Sequence, residues 1–123
     1  SLSDYYQLFS AATGLEVAPE EMMRAGERSW NLLRMLNVRD GFSRKQDRYP
    51  PKWLEPLEKP NGGKIYTRSK YDNRIMTAEV LERMLDDYYE ERGWDKRSGI
   101  PTPAKLAELR LEDVLGNTHL ESL

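Results

Sequence analysis

The spacing of proline and glycine in the middle of the chain constrains its fold more than any other feature. Within 123 residues, one short stretch holds Pro50, Pro51, Pro56, Pro60, Gly62 and Gly63. Proline has no amide proton to donate and glycine favours turns, so such a stretch does not continue a regular helix or strand. We therefore predict an irregular arm over residues 41–76, with helices on both sides of it.

The arm also carries scattered large apolar and aromatic side chains: Phe42, Tyr49, Trp53, Leu54, Leu57, Ile65, Tyr66 and Tyr71. A freely disordered linker has fewer aromatic residues. A stretch of about 35 residues without structure is also unusual inside a compact domain. We predict that the arm packs along a surface, and this chain need not supply that surface.

Two helices are predicted before the arm. Ser3 is a good N-cap for the first helix, and Gly14 is a good residue to end it. Pro19 suits the first position of the second helix. That helix runs to about Asp40 and stops at Gly41.

The second helix has one apolar sector, about 120° wide at 100° per residue. Its members are Met22, Ala25, Gly26, Ser29, Leu32, Leu33 and Leu36. We expect this sector to be the packing face of the helix. Glu27, Asn31 and Arg34 lie on an adjoining face, where side chains three and four residues apart can pair.

The helices after the arm have clear ends. Thr77 caps a third helix and Gly93 ends it, while Thr102 and Pro103 begin a short fourth helix. Apolar rows follow these helices at Val80, Met84 and Tyr88, at Leu81, Leu85 and Tyr89, and at Leu106, Leu109, Leu111 and Val114. No segment alternates as a strand would. The prediction is an all-α fold: a small helical domain of about four to five helices over residues 1–123, with the arm between the second and third long helices.

Charge is distributed unevenly along the chain. Residues 41–76 carry nine Lys and Arg against four acids, whereas residues 77–123 carry six against eleven. Two interpretations remain open: the basic arm folds back on the acidic C-terminal part, or it reaches an anionic partner or cofactor. The net charge of the whole chain is −2, which argues against a general polyanion-binding field.

The sequence contains no recognisable catalytic set. It has no cysteine, so its own residues cannot form a disulfide or a thiolate-held iron–sulfur cluster, and this composition fits a reducing, cytoplasmic compartment. His119 is the only histidine, and we expect it to be solvated in the tail. No zinc-protease, phosphate-loop, dinucleotide-binding or nucleophile-elbow motif occurs, and no apolar run approaches the ~20 residues of a membrane span. We predict no catalytic, cofactor-binding or metal-binding residue, and no membrane partner.

Two charged groups have a functional and a structural interpretation. A hard cation could bind Asp86, Asp87, Glu90 and Glu91, but no ligand-rich loop accompanies them, so an acidic outer helix face explains them better. A basic and aromatic series typical of nucleic-acid surfaces comprises Arg44, Lys45, Arg48, Tyr49, Lys52 and Trp53. The acidic third helix would repel phosphates, so we predict no nucleic-acid partner.

Two long segments resemble the C-terminal region of the tungsten-dependent aldehyde:ferredoxin oxidoreductases. They read YYQLFSAATGLEVAPEEMMRAGERSWNLLRMLNVRDGFSRKQDRYPPKWLEPL and LERMLDDYYEERGWDKRSGIPTPAKLAELRLEDV, and the resemblance spans about Tyr5 to Val114. Two features depart from the family pattern. The stretch GGKIYTRSKYDNRIMTAEV is more elaborate than the family's arm, and Arg110 stands where glycine is common.

The resemblance implies a role within a larger enzyme. The family oxidises aldehydes to carboxylic acids at tungsten held by two pterins, and passes electrons through a [4Fe–4S] cluster to ferredoxin. The cluster cysteines precede the segment that aligns here, so the resemblance implies that this segment itself binds no cofactor. It would be structural, shaping the substrate channel and a homodimer, with the remainder of the parent enzyme as its partner.

The resemblance also suggests why the second helix mixes polar and apolar residues. We expect Asn37 to be a buried amide, Arg39 to bond the last helix carbonyls, and Arg34 to pair with Glu27. These contacts would fix the helix end to the arm and to the rest of the enzyme. The alternative is a stand-alone helical interaction module or accessory subunit without redox activity, which a native reading frame beginning at residue 1 would favour.

Overall fold

A computed structural model describes residues 2–113 of the chain. The helices in this range are α1 (Leu2–Thr13), α2 (Pro19–Arg39), α3 (Ala78–Arg92) and α4 (Pro103–Glu108). Between α2 and α3 lie a short 3-10 helix (Pro51–Leu54) and an antiparallel pair of strands, β1 (Leu57–Glu58) and β2 (Lys64–Ile65). The prediction of a small, predominantly helical fold is confirmed.

The chain divides into two compact units. The first contains α1, α2 and α4, up to Gly41 and from Pro101 onward, and the second is Phe42–Ile100. The prediction of one helical domain over residues 1–123 stays a prediction, and Val114 and His119 lie outside the described residues. Within residues 2–113, no helix is both long enough and apolar enough to cross a lipid bilayer.

The ends of α1 follow the predicted signals only in part. Gly14 has a φ of 71° and donates its N–H to the Ser10 carbonyl at 2.9 Å, so its role in ending the helix is confirmed. The prediction that Ser3 caps α1 is wrong, because the helix already includes Leu2. A residue with helical backbone angles cannot be an N-cap, which needs an extended backbone.

The boundaries of α2 are those predicted. Pro19 is its first residue, and the Glu21 carboxylate accepts a hydrogen bond from the Ala18 N–H at 3.3 Å. At the other end, Asp40 donates its N–H to the Leu36 carbonyl at 3.1 Å, and Gly41 leaves the helix with a φ of 90°. Because these signals are local, the sequence was sufficient to find them.

The buried side of α2 is the reverse of the predicted one. Leu32, Leu33 and Leu36 are 40%, 50% and 39% exposed. The buried residues are instead Asn31, Arg34, Met35 and Val38. Because adjacent helix residues are about 100° apart, Asn31 and Leu33 project about 160° apart. The expected packing face is therefore wrong for this chain, since periodicity locates an apolar sector but not what lies against it.

In the second unit, α3 buries its apolar side. The Thr77 hydroxyl accepts a hydrogen bond from the Val80 N–H at 3.3 Å, and Gly93 ends the helix with a φ of 66°. Leu81 and Tyr89 are buried, whereas the neighbouring row through Met84 is more open. The predicted caps of α3 are confirmed, and one of its two apolar rows supplies most of its packing.

The arm contains two short β pairings that the sequence analysis did not predict. Leu57 pairs with Ile65 in the β1–β2 ladder, and Arg68 forms an isolated bridge with Ile75. Gly62 has a φ of 78°, which suits the turn between β1 and β2. Strands of two residues are too short to show the alternation by which a strand is recognised in sequence.

Candidate functional site

The first candidate site is an apolar surface on α2. We define the outward face of α2 as the side chains Trp30, Leu33 and Leu36, which lie within about 120° of one another around the helix and are each at least 39% exposed. In the same unit, α1 exposes Tyr5 and Leu8, which are 71% and 67% accessible. Exposed apolar groups clustered on one surface mark interaction sites, whereas isolated ones do not.

The opposite side of α2 carries polar side chains that complete the end of α4, beside the buried Met35 and Val38. Arg24 donates from Nη2 to the Glu108 carbonyl at 2.5 Å, and Arg28 donates from Nη1 to the Leu109 carbonyl. The last carbonyls of a helix have no hydrogen-bond donor within the helix and carry partial negative charge. An arginine side chain supplies both a donor and a positive charge. Sequence analysis missed these contacts, although Arg24 and Arg28 are spaced one turn apart.

An ion-pair network strengthens the same junction. Lys105 Nζ lies 2.9 Å from the Glu108 carboxylate and 3.1 Å from the Glu27 carboxylate. The hydrogen bond to Glu108, joined by the one to Glu27, raises the pKa of Lys105 above its usual value. Asn31 donates from Nδ2 to the Glu27 carbonyl at 2.9 Å. Polar residues of α2 therefore hold α4, a contact that the sequence did not predict.

The turn after α4 needs a residue in the left-handed conformation. Leu111 donates its N–H to the Leu106 carbonyl at 2.8 Å, and Arg110 donates to the Ala107 carbonyl at 3.0 Å. Together these bonds form a Schellman motif, whose left-handed position is usually glycine. Arg110 occupies that position with a φ of 56°. The arginine that stands in place of the family's common glycine therefore occupies a position whose positive φ disfavours a residue with a side chain.

Two predictions about the end of α2 are wrong. Asn37 is exposed, so it is not a buried amide. Arg39 bonds the Asp40 carboxylate from Nε at 3.2 Å, rather than the last helix carbonyls. The first error follows from the predicted packing side of α2, which faces solvent.

The second candidate site centres on Arg44 in the arm. Its guanidinium donates from Nη1 to the Asp86 carboxylate and the Lys96 carbonyl, both at 2.5 Å, and from Nη2 to the Glu82 carboxylate at 2.7 Å. It also lies 5.4 Å from the centre of the Tyr89 ring. The bonds to Glu82 and then Asp86 raise the pKa of Arg44 above its usual value. Arg44 thus fastens the arm to α3.

The remaining arm cations do not share this arrangement. Arg48 donates from Nε to the Lys45 carbonyl at 2.9 Å, and Arg74 bonds Asp72 within the arm. In the described part of the chain, no acidic side chain pairs with the exposed lysines Lys45, Lys52, Lys59, Lys64 and Lys70. The structure therefore supports folding back at Arg44 and leaves the lysines available to an anionic ligand.

The acidic residues of α3 form no metal site. Asp86 is paired with Arg44, and Glu90 lies 2.6 Å from Lys96 Nζ. Across residues 2–113, no group of three or more His, Cys, Asp and Glu side chains could hold a metal ion. The interpretation of this cluster as a cation site has no support, and ion pairing explains two of its members.

Comparison with known proteins gives a consistent result. Residues 1–111 match the family described as aldehyde ferredoxin oxidoreductase, domains 2 and 3. The chain is 34% identical over 115 residues to the tungsten-containing aldehyde ferredoxin oxidoreductase of Pyrococcus horikoshii, covering 91% of this chain and 17% of that protein. It is 35% identical over 115 residues to the corresponding protein of Pyrococcus abyssi, with the same coverage of each.

The chain belongs to the aldehyde ferredoxin oxidoreductase family and matches its C-terminal region. A third relative, the tungsten-containing enzyme of Pyrococcus furiosus, is 34% identical over 113 residues, which cover 89% of this chain and 16% of that protein. The chain thus spans about one sixth of the length of these relatives. The resemblance read from the two quoted segments is confirmed.

The residues of this chain provide no thiolate ligand for a metal cluster. A thiolate-held cluster needs cysteine, and the sequence has none. The described residues also offer no group of side chains suited to a metal ion. The prediction that no residue here is catalytic or binds a cofactor remains a prediction, and no chemical step is assigned to these side chains.

Proposed function

We propose that this chain acts as the helical C-terminal portion of a tungsten-containing aldehyde oxidoreductase, and that its role there is structural. The complete enzyme would oxidise aldehydes to carboxylic acids in the cytoplasm and pass electrons to ferredoxin. Tungsten on two pterins would supply the oxidation, and a [4Fe–4S] cluster would carry the electrons. Both groups would be held by the remainder of the enzyme, around which this portion packs.

The outward face of α2 carries this proposal. Leu33 is half exposed, while Asn31 on the other side of the same helix is fully buried. An amphipathic helix normally places its apolar sector against other protein. Since the inner side is occupied by α4, the outward face is available to a second surface, which the relatives' additional length can provide.

The support for the wider role is the match with the family and the position of the match. The relatives carry the name tungsten-containing aldehyde ferredoxin oxidoreductase, and this chain corresponds to 17% of their length. We include in the proposal that this portion helps to shape the substrate channel and that the enzyme forms a homodimer. These two features rest on the resemblance alone.

One substitution tested in two contexts separates this proposal from a stand-alone module. Leu33→Glu in the 123-residue chain should change the unfolding free energy by less than about 0.5 kcal/mol, because the side chain is exposed there. In the full-length gene product it would place a charge in a protein interface, at a cost of about 3 kcal/mol or more. We expect the full-length protein with Leu33→Glu to lose bound tungsten, the visible absorption of its iron–sulfur cluster and aldehyde-dependent dye reduction.

Leu106→Ala is the matched control, since Leu106 is fully buried within the first unit. It should destabilise the isolated chain and the full-length protein alike, by about 2–5 kcal/mol. Full-length protein carrying Leu33→Glu with normal tungsten content and normal activity would contradict the proposal. A gene product that ends at these 123 residues and contains no metal would favour the stand-alone module.

A further inference from the structure

A cavity of about 270 Å³ lies within the second unit, between the arm and α3. The apolar part of its lining is Leu54, Met76, Leu81 and Met84. Tyr49 and Trp53 also line it, with ring centres 5.7 Å apart and planes tilted by 46°. Tilted aromatic rings beside aliphatic groups provide a good surface for a flat apolar group.

The charged side chains that line this cavity are both cationic. Arg68 donates from Nη1 to the Asn73 carbonyl at 2.7 Å, which holds its guanidinium in place. Lys70 lines the same cavity, and no acidic side chain in the described range pairs with it. Of the described residues that line the cavity, none is Asp or Glu. The lining itself therefore carries only positive charge, which would attract an anionic group.

A neighbouring cavity provides a comparison within the same unit. It has a volume of about 250 Å³ and shares Ser69, Tyr71 and Met84 with the first. Asp72 and Asp87 line it together with Arg74 and Arg83, so its cations are balanced by carboxylates. Asp72 bonds Arg74, and its pKa is lowered to about 2 by the hydrogen bond with Ser69 and by those with Arg74. Of these two cavities among the described residues, the first alone combines an apolar lining with cations that no lining carboxylate balances.

We propose that the first cavity binds a small carboxylate with an aromatic or other apolar body. The body would lie against Trp53 and Met84, and the carboxylate would pair with Lys70 and Arg68. The volume is just below the range of about 300–1,000 Å³ typical of ligand pockets, so the ligand would have roughly ten heavy atoms. A polyanion fits less well, because the acidic residues of α3 belong to the same unit. This binding site does not depend on the proposed function.

The test uses phenylacetate and its uncharged analogue phenylacetamide with the nitrogen-15-labelled 123-residue chain. Three tryptophans give three indole N–H signals, and Trp53→Phe identifies the one that reports on the cavity. We expect phenylacetate to shift the Trp53 signal with a Kd of about 1 mM, a reasonable affinity for so small a ligand. Phenylacetamide should bind at least about fivefold more weakly, because it lacks the charge.

Variants at Lys70 separate charge from shape. Lys70→Gln should weaken phenylacetate binding about fivefold, while Lys70→Arg should retain it, since only the latter keeps the cation. Lys59→Gln removes an exposed lysine that does not line the cavity, and it should leave the affinity unchanged. The amide spectrum of each variant verifies that the fold is intact.

Several outcomes would overturn the proposal. Equal binding of phenylacetamide would show that the cavity has no preference for a carboxylate. A shift of the Trp30 indole in place of that of Trp53 would place the ligand on the outward face of α2. Absence of any shift at phenylacetate concentrations up to about 10 mM, ten times the expected Kd, would show that the cavity does not bind this class of ligand.

Discussion

The two long helices α2 and α3 use their amphipathic pattern in opposite ways. Helix α3 buries Leu81 and Tyr89 and leaves much of its acidic side in solvent. Helix α2 buries Asn31 and Arg34 beside Met35 and Val38, and exposes its leucines. Both helices have well-formed ends, so the difference concerns what lies beside each helix and not whether the helix forms.

The difference shows what each unit supplies for itself. In the second unit, Arg44 pairs with the acidic side of α3, and the ring of Trp94 lies 5.9 Å from that of Tyr89. In the first unit, α4 contributes backbone carbonyls and Lys105, which need polar partners from α2. The apolar side of α2 therefore remains open to another surface, as the proposed function requires.

The largest expected effect compares one leucine from each helix. Leu81→Ala should lower the unfolding free energy of the chain by about 3 kcal/mol, because Leu81 is 92% buried and a cavity would remain. Leu33→Ala should change it by less than about 0.5 kcal/mol, because Leu33 is half exposed. Urea unfolding followed by circular dichroism measures both values. Equal destabilisation by the two changes would show that the leucines of α2 are buried as deeply as those of α3.

The next effect concerns the attachment of the arm to α3. Arg44→Gln should lower the unfolding free energy by about 2 kcal/mol, since hydrogen bonds to charged groups contribute about 1.5–3 kcal/mol and this side chain is only 20% exposed. Lys45→Gln is the adjacent control and should be nearly neutral. Hydrogen exchange at the amides of α3 should accelerate in the first variant only. Unchanged exchange there would mean that Arg44 does not hold the arm.

A smaller effect, of opposite sign, is expected in the first unit. Arg110→Gly should raise the unfolding free energy by about 1 kcal/mol, because glycine adopts a positive φ without the steric cost of a side chain. Gly93→Ala, at the matching position after α3, should lower it by about the same amount. Thermal unfolding of both variants provides the measurement. Destabilisation by Arg110→Gly would show that the arginine side chain has a role that outweighs its backbone conformation.

The smallest effect is a dependence on pH in the loop after α3. Asp95 accepts hydrogen bonds from the Ser98 hydroxyl at 2.7 Å and the Ser98 N–H at 2.8 Å, and these lower the pKa of its carboxyl. Because the folded-state pKa is the lower one, the stabilisation is present above the unfolded value of about 3.9 and is lost as the pH falls through the folded pKa. The group is exposed, so we expect at most about 0.5 kcal/mol.

Asp95→Asn should remove that part of the pH dependence. The difference in unfolding free energy between pH 7 and pH 3 should be smaller in the variant than in the original chain, since asparagine does not titrate in this range. An NMR titration of the Asp95 carboxyl measures its pKa directly. A value at or above the unfolded one would contradict the assigned hydrogen bonds.

The cap residues and the charge pattern were the most informative parts of the sequence. Pro19, Thr77 and Gly93 stand at the helix ends where they were predicted, because each acts through its own backbone or one nearby bond. The opposite charges of the arm and the C-terminal part indicated folding back, but they did not single out Arg44. That choice depends on which cation reaches two carboxylates and a carbonyl at once.

The sequence by itself determined most of the helix ends and the family to which the chain belongs, because caps and motifs are local and ordered along the chain. Only the tertiary structure decided which side of α2 is buried. That choice depends on contacts with distant parts of the chain, such as the carbonyls at the end of α4, about 80 residues away, that accept hydrogen bonds from Arg24 and Arg28. Hydrophobic periodicity describes a helix surface, whereas burial is a property of the two surfaces that meet.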